Sequence, residues 1–340
     1  MNAPRNRQVI LASRPEGIPQ PGHFALREAA LPEPQEGEIL VRNHVLSVDP
    51  AMRGWVSAVA NYSKPVGLGE VMRSFAAGEV LASRHPGFAP GDRVSGLFGW
   101  QDYAAVPASA VTRKVVERDL PLSASLGVLG LNGTTAYFAL LEVGQPKPGE
   151  TVVVSTAAGA VGSIVGQIAK LHGCRTVGIA GGPEKRRQCL EEFGYDAALD
   201  YKAGPLDAAL AEAAPQGVDV YFDNTSGPIS DTVLRQLAVR ARVVVCGTAA
   251  LSSWDPWPQG PRVERHLLVK RARMQGFLIF DYADRTEEAF AQLAAWVRAG
   301  RLAYREDILD GIEHAPGAIA RLYRGENNGK LLIRLVEAGG

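Results

Sequence analysis

Cysteine is scarce in this chain. Three occur in 340 residues, Cys174, Cys189 and Cys246, all in the middle of the sequence and none in a CxxC pair. That argues against a disulfide framework and against a cysteine-built zinc site. An excess of either charge is also missing: Lys and Arg total 36, Asp and Glu total 36, and no basic or acidic block dominates. Nucleic acid is therefore not an expected partner. The histidines of the first half, His23, His44 and His85, have no helical or hairpin ligand spacing. Each reads as a satisfied or exposed histidine, and no zinc is expected. There is no Gly-x-Ser-x-Gly elbow and so no sign of a hydrolase of that kind. The opening MNAPRNRQVILASRP has too short an apolar run for a signal peptide. The longest apolar window, Thr151 to Ala169, is interrupted by a small-residue turn and fits a buried strand–turn–helix better than a membrane span. These absences give an expectation of a cytoplasmic protein with no membrane partner.

What is present centres on that same window, TVVVSTAAGAVGSIVGQIAK, from Thr151 to Lys170. A strand leads through Ala157-Ala158-Gly159-Ala160-Val161-Gly162 into an apolar-periodic helix that starts near Val161. The turn is a relaxed dinucleotide fingerprint, with Ala157 where the first glycine usually sits. A pyrophosphate must approach backbone N–H groups at a helix start, which requires small residues at this spacing. An ordinary tight βα turn is the other reading. The next strand, Arg175 to Ala180, ends in Gly181-Gly182-Pro183-Glu184-Lys185-Arg186-Arg187. NAD sites usually place a carboxylate at this tip, whereas NADP sites open the corner and add a cation. Pro183 makes Glu184 readable as a helix N-terminal residue. Lys185 is then the candidate point charge for a 2′-phosphate, and NADP(H) is favoured over NAD(H).

Taken in order, residues 1–128 read as β structure separated by Pro- and Gly-rich turns. A helical stretch runs to Gly144. Strands and helices then alternate, with strands at Ala197–Asp200, Val218–Asn224, Ala241–Gly247 and Met274–Phe280, and an amphipathic helix over Thr286–Ala299. This alternation predicts a doubly wound parallel sheet with ligands outside its carboxyl ends. Residues 300–340 return to short pieces and are expected to complete the first domain, so 129–299 form the dinucleotide half. Asn224 and Cys246-Gly247, at two strand ends, are candidates to line ribose and nicotinamide; turn chemistry is the other reading. Cys246 reads as a buried small hydrophobe rather than a nucleophile. Asp49 and Arg53 read as structural, because Asp-Pro suits a turn or helix start.

Several segments taken together resemble one family. They are Leu46 to Gly54 (LSVDPAMRG), Gly69 to Arg73 (GEVMR), Leu129 to Phe138 (LGLNGTTAYF), Ala157 to Lys170, Phe222-Asp223-Asn224 and Gly325 to Lys330 (GENNGK). In that order, over nearly the full length, the chain resembles the zinc-independent branch of the medium-chain dehydrogenase/reductase superfamily, near the prostaglandin and alkenal double-bond reductases. The resemblance implies an α/β fold: a GroES-like, β-rich substrate domain plus a Rossmann domain, paired as a homodimer. It implies NADPH-dependent reduction of the C=C bond of α,β-unsaturated aldehydes and ketones, without metal. Lys185 and Tyr201 would hold the 2′-phosphate end, Asn327 would reach the cofactor from the returning tail, Thr135 would lie near the nicotinamide, and Phe277-Leu278 would pack beside it. Met52, Tyr62 and Trp254 would line the substrate pocket, with Tyr62 a candidate donor to the substrate carbonyl oxygen. Two departures stand out. Ala51 replaces a frequent tyrosine, and Trp254 lies where the reductases carry another. An indole N–H donates a hydrogen bond but is no useful proton source. An NADPH:quinone oxidoreductase on the same fold is therefore the second reading, and an NADPH-binding module with little turnover the third. The aromatic content of residues 55–75 and 248–265 suggests an apolar, flat acceptor, an enal, enone or quinone.

Overall fold

The computed structural model describes residues 5–59, 63–251, 256 and 258–335. The chain divides into two compact units, Met1–Gly127 with Glu306–Gly340, and Val128–Arg305. Tyr62 and Trp254 lie outside the described residues, so the structure does not place them.

The first unit is β-rich. Strands β1 (Arg5–Leu11) and β2 (Phe24–Ala30) form an antiparallel pair. They are followed by β3 (Glu38–Ser47), the short helix α1 (Met52–Val56), β4 (Ala76–Ser83), β5 (Arg93–Gly96), β6 (Tyr103–Pro107) and β7 (Val111–Lys114). Strand β3 is the hub, pairing antiparallel with both β4 and β6. Its buried run of Ile39, Leu40, Val41, Val45 and Leu46 explains that position, since a strand flanked on both edges must be apolar on much of its surface.

The second unit opens with α2 (Leu131–Phe138), continued as a wider-pitched turn to Gly144. Then follow β8 (Thr151–Ser155), α3 (Gly162–Leu171), β9 (Arg175–Ala180), α4 (Pro183–Glu191), β10 (Ala197–Asp200), α5 (Leu206–Ala213) and β11 (Val218–Asp223). The remaining elements are α6 (Gly227–Arg235), β12 (Leu237–Val245), α7 (Glu264–Lys270), β13 (Arg273–Gly276) and α8 (Thr286–Arg298). All strand pairs are parallel and the order is β10-β9-β8-β11-β12-β13. This is the doubly wound Rossmann order, whose direction reverses between β8 and β11. The apolar window thus resolves into a wholly buried strand, a turn and a helix. Among the described residues no helix is long and apolar enough to cross a membrane.

Several boundaries differ from the sequence reading. Strand β12 spans Leu237–Val245 rather than Ala241–Gly247. The last strand stops at Gly276 rather than Phe280, because β13 is an edge strand whose pairing with β12 ends at Val245–Gly276. Residues Gly300–Arg305 stay with the second unit: the Gln167 side chain donates to Ala303 O (2.8 Å) and accepts from Ala303 N (2.7 Å).

The chain closes in the first unit with β14 (Glu306–Asp310), α9 (Ala315–Tyr323) and β15 (Lys330–Arg334). Strand β15 pairs antiparallel with β3 and parallel with β14, so the tail is built into the hub of the β-rich unit. A buried ion pair fastens it. Lys330 Nζ donates to Asp49 Oδ1 and to Val48 O, both at 2.8 Å, and Ser47 Oγ donates to the second oxygen of Asp49. This supports the structural reading of Asp49; Arg53 lies over the Tyr323 ring, 4.7 Å from its centroid.

Candidate active site

The carboxyl ends of the Rossmann strands collect the predicted cofactor residues of the second unit other than Thr135, which lies on α2. The turn after β8 carries Gly159, Ala160 and Val161, and Gly162 begins α3. A Cβ on Gly162 would come within 2.3 Å of Thr156 O. Only glycine allows helix and turn to approach so closely, leaving the helix start bare for an anion. Tyr195 closes the buried side by donating to Gly162 O at 2.6 Å.

At the neighbouring tip, α4 starts at Pro183 after Gly182. Lys185 is half-buried in its first turn. The ring of Tyr201, which follows β10, packs on Gly181: a Cβ there would meet Tyr201 Cε1 and Oη at 2.9 Å. The structure therefore brings Lys185 and Tyr201 to one corner. Sequence reasoning missed Asp200 there. Its carboxylate accepts from the backbone N–H of Gly182 and of Lys202, each at 2.9 Å. Those hydrogen bonds, led by Gly182, hold its pKa below the ordinary carboxylate value. The carboxylate at this tip is thus engaged with the loop backbone, the cations Lys202 and Arg186 act on it, and Lys185 lies in the first turn of the adjoining α4. That set suits a 2′-phosphate better than a ribose hydroxyl.

At the reversal point the Asn224 amide donates to Ser155 O (2.7 Å) and its backbone N–H to Ser155 Oγ (2.8 Å), tying β11 to β8. Asp223, another residue missed from sequence, is buried with no cation paired to it among the described residues. It accepts from Thr225 N (2.9 Å), Ser226 N (2.8 Å), Ser230 Oγ (2.5 Å) and Tyr221 Oη (3.1 Å). Its own carbonyl accepts from Cys246 N and Gly247 N at 2.9 and 3.0 Å. Residue 223 therefore keys both the Asn224 loop and the Cys246-Gly247 loop. An acidic residue amid hydroxyls could have suggested this from sequence, but only the fold shows that donors from five residues converge on it, Ser155 of β8 among them. Replacing Asp223 by Asn puts an amide donor among donors. We expect a loss of about 1–3 kcal/mol of stability in urea unfolding, with weaker cofactor binding by fluorescence titration.

Past β13, Phe277 is buried and stacks on Tyr282 (5.3 Å between centroids), which stacks on Phe138 of α2 (5.0 Å). Leu278 is exposed. This stack ties the last strand tip to α2, where Thr135 is half-buried and Gly133 is required because a Cβ would lie 1.8 Å from Val128 O. In the first unit, Met52 is fully buried and the Asn327 amide donates to Gly329 O at 2.8 Å.

The three thiols are poorly acidic: burial pushes Cys174 to about 11 and Cys189 and Cys246 to about 12, from an ordinary value of 9.0. Asp223 adds to the effect at Cys246. Folding favours the protonated thiol, so this stabilisation is complete below pH 9 and fades as pH rises towards 11–12. Thermal unfolding temperature is expected to fall above pH 9, less steeply in a Cys→Ser triple variant. Among the described residues no group of three or more His, Cys, Asp or Glu could hold a metal ion.

A six-stranded parallel sheet of this order, with a glycine turn at its reversal, defines the protein as one built on a Rossmann domain joined to a β-rich one. Family models match residues 7–114, described as the N-terminal domain of oxidoreductase, and residues 160–297, described as zinc-binding dehydrogenase. The chain is 44% identical over 336 residues to the NADPH-dependent curcumin reductase of Escherichia coli, covering 97% of each chain. It is 36% identical over 334 residues to the tobacco NADP(+)-dependent 2-alkenal reductase, covering 96% of this chain and 97% of that one. The solved structure of CurA from Vibrio vulnificus in complex with NADPH is 41% identical, with a TM-score of 0.92, covering 98% of this chain and 100% of that one. The chain belongs to the zinc-independent medium-chain dehydrogenase/reductase family of oxidoreductases.

Proposed function

We propose that this protein reduces the C=C bond of apolar α,β-unsaturated aldehydes and ketones with NADPH, without a metal. The observation that carries this reading is the 44% identity, across 97% of both chains, to an NADPH-dependent curcumin reductase. It is supported by cofactor candidates at the strand tips of one sheet and by the cationic corner at Lys185.

NADPH, when bound, would supply the hydride to the β-carbon of the alkene, and the resulting enolate would take a proton at its α-carbon to give the saturated carbonyl. The chain's own residues hold and orient the reactants. Gly159 to Gly162 offer bare backbone N–H groups to the pyrophosphate. Lys185 and Tyr201 take the 2′-phosphate, Lys185 as a point charge. Asn224, Cys246 and Gly247 line the ribose and nicotinamide, with Phe277, Leu278 and Thr135 against the ring, and Asn327 completes the cofactor's grip. Met52, Tyr62 and Trp254 shape the substrate pocket. Tyr62 donates to the carbonyl oxygen on which the enolate charge develops. Trp254 shapes the pocket without supplying a proton. The protein works as a homodimer in the cytoplasm.

The test is NADPH consumption by purified, chelator-treated protein offered alkenals, enones, quinones and saturated aldehydes. Turnover of the activated alkenes, yielding the saturated carbonyl, is expected. Turnover of quinones alone, or of saturated aldehydes, would overturn the assignment.

A further inference from the structure

The opposite, amino-terminal end of the Rossmann sheet carries a cleft of about 670 Å³, within the range of small-molecule sites. Its lining is cationic rather than apolar. Lys147, Arg240, Arg242, Arg271 and Arg273 face only two carboxylates, Glu150 and Asp219. Two of the arginines have structural employment. Arg242 pairs with Glu150 and donates to Gly144 O and Gln145 O; Arg273 donates to Val143 O. Both thereby cap the carbonyls that end the α2 extension. Asp219 is engaged with the backbone N–H of Thr151 at 2.9 Å. The other cations make no close ion pair, although Lys147 lies near enough to Glu150 to help lower its pKa. Among the described residues Lys147, Arg240 and Arg271 have no ion pair, and the Arg271 side chain donates to Val269 O in its own turn at 3.4 Å.

The backbone around this cleft is unusual in a second, independent way. Among the described residues five non-glycine positions have positive φ, and three of them line it: Gln145 (47°), Arg240 (65°) and Arg271 (51°). Each costs about 1–2 kcal/mol that glycine would avoid. Arg240 sits in a bulge of β12, where the register with β11 jumps from Val218–Leu237 to Val220–Arg242. Bulges and left-handed residues concentrate where a side chain must be re-aimed. Gln145 and Arg271 are the left-handed residues that end the α2 extension and α7, whereas Arg240, in the bulge, has no helix end to account for its conformation and is turned towards the cleft that it lines.

We propose that this cleft binds a small, multiply charged phosphate anion, at a site separate from the strand-tip cofactor site. Guanidinium forks match phosphate oxygens, and Lys147 adds a point charge. The lining carries more cations than carboxylates, and the Arg242–Glu150 pair already neutralises one of each, so the remaining field favours an anion.

Inorganic pyrophosphate is the probe. The full chain is titrated with it by calorimetry, as wild type, as R240G/R271G, and as K185A. Glycine suits both positive-φ positions, so the double variant keeps its fold, which an unchanged or raised melting temperature verifies. Expected are saturable binding to wild type, at least about a tenfold weaker affinity in R240G/R271G, and wild-type affinity in K185A. The single variants R240G and R271G should each fall between. No saturable binding to wild type would overturn the proposal. So would equal affinity in wild type and R240G/R271G, or a loss confined to K185A, which would place the anion at the cofactor corner.

Discussion

Replacing Lys330 by Met is expected to lower the unfolding free energy by about 3–5 kcal/mol, the cost of stranding one member of a buried ion pair. The side chains of Lys330 and Asp49 are only 4% and 5% exposed. With the ammonium gone, Asp49 keeps Ser47 as a hydroxyl donor but loses its only paired charge in the described structure. Val48 O loses its side-chain donor as well. Urea unfolding measures the change in midpoint at constant slope. The double variant D49L/K330M should recover much of the loss, because it removes the uncompensated carboxylate together with the amine. A change below 1 kcal/mol in the single variant would mean that the pair is not buried as described. Strand β15 carries Lys330 and lies beside β3, so the same loss should loosen the returning tail that includes Asn327.

The second large effect concerns cofactor choice. Lys185→Ala should reduce kcat/KM for NADPH by about 10–100-fold, the worth of a hydrogen bond to a charged group, while the value for NADH changes little. Steady-state kinetics with both cofactors checks this. The corner explains the asymmetry. NADH presents a ribose hydroxyl where NADPH presents a phosphate, and Asp200, the carboxylate that could accept from a hydroxyl, is engaged by Gly182 and Lys202. Equal losses with the two cofactors would place Lys185 on the shared part of the dinucleotide or in the fold.

Much of this was legible in the sequence, for identifiable reasons. A strand buried on both faces, such as Val152-Val153-Val154, reads as a continuous apolar run, and Pro183 marks a helix start. The small-residue turn followed from the need for close backbone approach, and Gly162 shows that need directly. Other features depend on how a loop folds back rather than on which residues it holds. Asp223 gathers Tyr221, Thr225, Ser226 and Ser230, all within seven residues, together with the distant Ser155, and Asp200 is engaged by Gly182 and Lys202. The apolar run MQGFLIF reads as a strand through Phe277 and Leu278. An edge strand without a second neighbour ends where its one partner does. The amino-terminal cleft was invisible for a similar reason: its arginines are scattered from 240 to 273, and only the parallel sheet aligns them.

The central claim is hydride transfer to an alkene carbon, and isotope transfer tests it most directly. Enone turnover would be run with NADPH carrying deuterium at the reactive nicotinamide carbon, and the product analysed by NMR. A saturated ketone with the deuterium at the β-carbon is the predicted result. An allylic alcohol with deuterium on the former carbonyl carbon and the C=C bond intact would contradict it.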